Sequence, residues 1–122
     1  MNKKSIVILI ILLLQFITFS CKSIALLTNE PEPPTEPTLK NLSIYETQLT
    51  SYVLYLETFL IRARQKFSNY NFPPFTLFDP KNLKEEHTLQ TIQENIKHLK
   101  HYINKTKPIA IDVYKKCSKL KK

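Results

Sequence analysis

Beyond residue 39 the apolar positions fall three and four apart. Tyr45, Leu49, Tyr52, Leu56, Phe59 or Leu60, Ala63 and Phe67 share one stripe of a helix. Ser43-Ile44-Tyr45-Glu46 reads as a capping box, which places the first helix from about Ile44 to Ser68. Leu54, Tyr55 and Ile61 lie off the stripe, so the buried arc is wide or part of it faces a partner. Asp79 as cap and Pro80 at the first helical position predict a second helix, with Leu89, Ile92, Ile96, Leu99 and Ile103 as its seam. Glu85, Glu86 and His87 read as the polar start of that helix. Pro108 opens a third segment that carries Ile109, Val113, Cys117 and Leu120 on one side. Long alternating β-branched runs are missing, so the expected fold is all-α: a small antiparallel bundle of three helices over residues 41–122. A two-helix hairpin with a loose third segment is the nearest rival. A coiled coil between chains is another, since the second seam would also suit a homo-oligomer.

Before residue 39 the pattern is different. Met1-Asn2-Lys3-Lys4 is a short positive leader, and Ser5 to Leu14 is a continuous apolar run of the length that a secretory signal uses. A spanning helix wants about 20 apolar residues, and an uncleaved anchor running on through Leu27 would carry Lys22 in its path. Thr28 to Thr38 contains Pro31, Pro33, Pro34 and Pro37 with Glu30, Glu32 and Glu36, a composition that favours solvated polyproline II. At about 3.1 Å per residue, a spacer from Lys22 to Leu39 reaches on the order of 50 Å. The expected organisation is a signal peptide over 1–20, a lipidated cysteine with a Pro/Glu-rich tether over 21–40, and the helical domain over 41–122.

The apolar run ends in Ile17-Thr18-Phe19-Ser20-Cys21, where a small residue directly precedes a cysteine. This resembles a bacterial lipobox of the relaxed kind found in spirochaetal (Borrelia-type) lipoproteins, and Thr18 and Phe19 stand where Leu and a small residue are usual. The chain is similar to the small plasmid-encoded paralogues of the OrfD-like group. The resemblance implies cleavage between Ser20 and Cys21, with lipid on the Cys21 sulfur and amine, palmitate among the acyl chains. It also implies export to the outer membrane and display on the cell surface.

Composition narrows the chemistry. The chain has no glycine. A phosphate-binding P-loop, a dinucleotide-binding turn and a nucleophile elbow all need glycine, so none can be present. No Ser/His/Asp or Cys/His constellation has a supporting context, and the chain is read as noncatalytic. No cofactor is expected other than the covalent lipid on Cys21. Glu94, His98 and His101 lie on one helical face but lack a fourth ligand, so no metal site is assigned. Cys117 is expected to be a buried small hydrophobe; the alternatives are pairing between chains or, without lipid on Cys21, a Cys21–Cys117 bridge.

Two features remain as binding candidates. Tyr70, Phe72, Phe75 and Phe78 crowd a Pro-stiffened loop, either as a plug for the bundle end or as an anchor for a partner protein. The carboxyl end concentrates Lys97, Lys100, Lys105, Lys107, Lys115, Lys116, Lys119, Lys121 and Lys122 against one acid, Asp112. The same lysines read as a solvated helix face or as an electrostatic footprint for a polyanion. An exported chain does not meet nucleic acid, so a host protein or glycosaminoglycan is the expected partner, beside the membrane that holds the anchor. In similar spirochaetal lipoproteins the role is adhesion or interference with complement and other host defences. A periplasm-facing structural envelope lipoprotein, or a phage- or plasmid-encoded lysis or immunity factor, is the alternative.

Overall fold

In a computed structural model, which describes residues 27–68 and 70–120, Thr38 opens the first helix. Its hydroxyl accepts from the Asn41 amide at 3.2 Å, and α1 runs Leu39–Lys66. The helix thus begins one turn before the expected Ser43 cap. Pro37 ends the extended chain and the next residue is itself a good cap, so the box at Ser43 is not needed. Ser43 lies inside α1, with its buried Oγ lacking a hydrogen-bond partner.

The Asp79–Pro80 signal is real but short. Asp79 accepts from the Lys81 amide at 3.0 Å and caps a single 3₁₀ turn, Pro80–Asn82. Residues 84–87, including Glu85, Glu86 and His87, stay outside any helix. The second helix, α2, runs Leu89–Leu120 after Thr88, whose hydroxyl accepts from the Thr91 amide at 3.1 Å.

Pro108 does not open a third helix; α2 continues through it. Proline removes the bond to the carbonyl four residues back and commonly breaks a helix. Here Pro108 and Asn104 are both exposed, so water reaches the carbonyl that loses its partner. Ile103, Ala110, Val113 and Cys117, on either side of the proline, are buried in one core and hold the two halves in line. Among the described residues the chain is all-helical, with two long helices rather than three.

The two helices are parallel, not antiparallel. Glu46 sits beside Asn95, Glu57 near Tyr102, and Tyr70, just past α1, near Lys116. In each pair the second residue number exceeds the first by nearly the same amount, which only parallel helices allow. The 22 residues between Lys66 and Leu89 run back along the pair. Extended chain covers up to about 3.5 Å per residue, ample for the roughly 42 Å of α1. Arg64 lies over the Phe75 ring at 4.4 Å, Glu57 accepts from the Phe78 amide at 3.3 Å, and Lys84 bonds Asn95, so the returning segment can be followed from the end of α1 towards its start. No described residue has a positive φ, and the glycine-free chain makes its turns from extended and proline-stiffened backbone.

Tyr45, Leu49, Tyr52, Val53, Leu56, Phe59, Leu60 and Ala63 of α1 meet Leu99, Tyr102, Ile103, Ala110, Val113 and Cys117 of α2 in one core. Leu27, from the segment ahead of α1, joins them with 1% of its surface exposed.

Candidate functional site: a basic helix face and the strap across it

The outer side of α2 carries the charge that the sequence concentrates there. Lys97, Lys105, Lys115 and Lys119 are exposed, and Lys100, Lys107 and Lys116 are half-buried. At 1.5 Å rise per residue this face extends about 33 Å. Lys116 is paired with Asp112 at 3.0 Å, one turn away. Lys121 and Lys122 lie outside the described residues, as do Ser20 and Cys21.

Lys100 and Lys107 are not open to solvent in the same way. The segment from Leu27 to Thr38 lies against the body as a strap, and its Glu30 carboxylate accepts a hydrogen bond from Lys100 Nζ and lies 3.6 Å from Lys107 Nζ. Only 14% of the Glu30 side chain is exposed. The contact raises the pKa of Lys100, mainly through the hydrogen bond. Upstream, the Tyr52 hydroxyl donates to the Leu27 carbonyl. The extended reach expected from Lys22 to Leu39 is therefore not free along its length: Leu27 and Glu30 are held against the body, while Glu32, Pro33 and residues 35–38 are exposed.

The aromatic loop is built into the body. Phe72, Phe75 and Phe78 are half-buried and pack against the core, Phe78 edge-on to Tyr102 at 5.5 Å. The Tyr102 hydroxyl donates to the Thr76 carbonyl at 2.6 Å. Tyr70, 39% exposed, leans on Phe72 at 5.2 Å, and Leu77 is left facing water. Ile44, Leu54 and Ile61 are likewise exposed along the outer side of α1.

Glu94, Lys97, His98 and His101 line an open hollow of about 440 Å³. The Glu94 carboxylate is bonded to Lys84 at 2.8 Å. Among the described residues no cluster of His, Cys, Asp and Glu could hold a metal ion.

Burial pushes the phenols of Tyr45, Tyr52, Tyr55 and Tyr102 up, that of Tyr52 to about 12, with the Glu30 charge adding to the effect. The folded protein therefore holds these protons more tightly than the unfolded chain does. Their stabilising contribution is complete below pH 10 and is lost as pH rises through 12, at most about 3 kcal/mol for Tyr52. The urea midpoint should stay level through neutral pH and fall steeply above pH 10. A level profile up to pH 12 would contradict the burial of these hydroxyls.

The concentration of lysines in the sequence located the basic face but not the Glu30 clasp. Its only signal was one acid among three in a proline-rich run, and nothing in the run singles out Glu30 from Glu32 and Glu36. Asn95, buried at 1% exposure, was missed because a polar residue in an apolar seam reads as a surface position.

Two parallel helices, a charged outer face and a docked strap define a small all-helical module, and among its described residues no helix is long and apolar enough to cross a membrane. The chain belongs to the Borrelia orf-D family, whose pattern matches residues 26–119. It is 54% identical over 108 residues to the outer membrane lipoprotein BBA14 of Borreliella burgdorferi strain B31, an alignment that covers 88% of this chain and 89% of that protein. That likeness supports a membrane-associated lipoprotein located at the outer membrane.

Proposed function

We propose that this is a noncatalytic surface lipoprotein, held by lipid on Cys21, whose α2 face binds a polyanionic host macromolecule of the sulfated glycosaminoglycan class. The observation that carries the reading is the face itself. Between residues 97 and 119 one rigid helix presents seven lysines, opposed by Asp112 within the helix and Glu30 from the strap. Lysine suits diffuse contact with a sulfated chain better than planar, bidentate recognition, which favours arginine. The aromatic loop is the weaker candidate, because most of its ring surface already covers the core.

The test is binding of the full chain to immobilised heparin across a salt series. Changing Lys97, Lys105, Lys115 and Lys119 together to Gln should weaken binding about tenfold or more and flatten its salt dependence, since contacts between exposed charges are screened over about 8 Å at 0.15 M. Unchanged retention by the quadruple variant would remove the α2 face from consideration. Protease treatment of intact cells, beside a periplasmic control, tests the display. Digestion with the control intact is expected. Protection until the envelope is opened would favour a periplasm-facing structural role.

A further inference from the structure

Two ammonium groups that converge on one carboxylate form an anion site, and in this protein the anion is supplied by the chain itself. Lys100 and Lys107 stand two turns apart on α2, roughly 10 Å along its axis, yet both reach Glu30. Lys107 also lines a hollow of about 470 Å³ with Asn104, Pro108, Ile111, Asp112 and Lys115. A chain of sulfate esters lying in that hollow meets Lys115 first and arrives at Lys107 from its open side. Resting on the polyanion reading above, we infer that Lys100 and Lys107 are a latent sulfate-ester site that Glu30 keeps occupied, and that a sulfated chain binding there displaces the strap.

The geometry makes the exchange chemically even. A carboxylate leaves two ammonium groups and a sulfate oxygen replaces it, so neither lysine is left unpaired. The strap has a second hold, the buried Leu27 with its carbonyl bonded to Tyr52, which sets how strongly Glu30 competes. Displacement frees the twelve residues 27–38, about 35 Å of chain at 3.1 Å per residue. Ligand binding and extension of the tether are then one event.

Glu30→Gln keeps the shape of the clasp and removes its charge. A clasp closed about nine-tenths of the time lowers apparent affinity about tenfold, so Glu30→Gln should bind a defined heparin oligosaccharide about 3- to 10-fold more tightly than the natural sequence. Glu32→Gln makes the same change in net charge at an exposed position two residues on. It should change affinity less than about twofold. In the natural sequence background the oligosaccharide should lengthen the distance between spin labels at the exposed positions 32 and 47, which line one hollow while the strap is docked, a readout that does not depend on how well the Gln variant folds. Equal affinities for Glu30→Gln and Glu32→Gln, or a label distance unchanged in the bound state, would overturn the latent site and leave the polyanion reading standing. If the oligosaccharide binds none of the three proteins, the polyanion reading falls and takes the latent site with it. Tightening seen only on vesicles containing phosphatidylglycerol would overturn the assignment to a sulfated chain.

Discussion

Leu99→Ala should cost this protein about 2–5 kcal/mol, the range for deleting a fully buried leucine when the cavity cannot collapse. Leu99 has no exposed surface and sits where the two long helices and Leu27 meet. A domain of this size typically has about 5–15 kcal/mol in all. The thermal midpoint should therefore fall by roughly 8–40 °C, at about 4–8 °C per kcal/mol. Leu54→Ala is the companion experiment, because Leu54 is 58% exposed on the outer side of α1. Its cost should stay within about 0.5 kcal/mol. Similar losses from the two variants would mean that α1 is rotated relative to the arrangement described here.

Asn95→Ala is expected to be nearly as damaging, for a different reason. The Asn95 side chain acts like a neighbouring strand: its Oδ1 accepts from the Lys84 amide at 2.9 Å and its Nδ2 donates to the Lys84 carbonyl at 2.9 Å. Truncation removes both bonds at once and leaves two backbone groups in a part-buried position, where each unsatisfied group costs about 1–3 kcal/mol. A loss of about 2–3 kcal/mol should appear in a urea melt, with hydrogen exchange quickening first around residue 84. Asn95→Asp separates the two bonds. An aspartate can still accept from the Lys84 amide, but its second oxygen faces the Lys84 carbonyl, and Glu46 lies close by. Glu46 itself is pushed up by burial and drawn down by its hydrogen bond to Asn95, which the variant removes. The Asp variant should thus regain stability as pH falls through the carboxylate range, while the Ala variant should not. Parallel pH profiles for the two would count against this hydrogen-bond geometry.

The apolar stripe of α1 was readable because period and burial agree: Tyr45, Leu49, Tyr52, Leu56 and Ala63 are all in the core. The seam of α2 was only partly readable. Ile92, Leu99 and Ile103 are buried as expected, but Leu89 is 45% exposed, and the seam is completed by Thr91, Asn95, Tyr102 and Thr106. These are residues whose polar atoms find partners that no periodicity reveals. Pro108 misled because the cost of an internal proline depends on which way its face of the helix points, and that is set by tertiary packing. The direction of packing was hidden in the connection. An apolar seam says that two helices meet but not whether they run together, and a connection long enough to return makes either arrangement accessible. The basic face was legible as composition, whereas the Glu30 clasp is a contact across seventy residues.

The point at which the strap docks also fixes posture. Leu27 lies at the level of Tyr52, midway along α1, so the described chain begins at the waist of the body and not at either tip. The lipid proposed on Cys21 would join the chain only six residues ahead of that point. A rod held there would lie lengthwise over a bilayer. Opening of the proposed clasp would move the hold to the start of α1 and let the same rod stand on end.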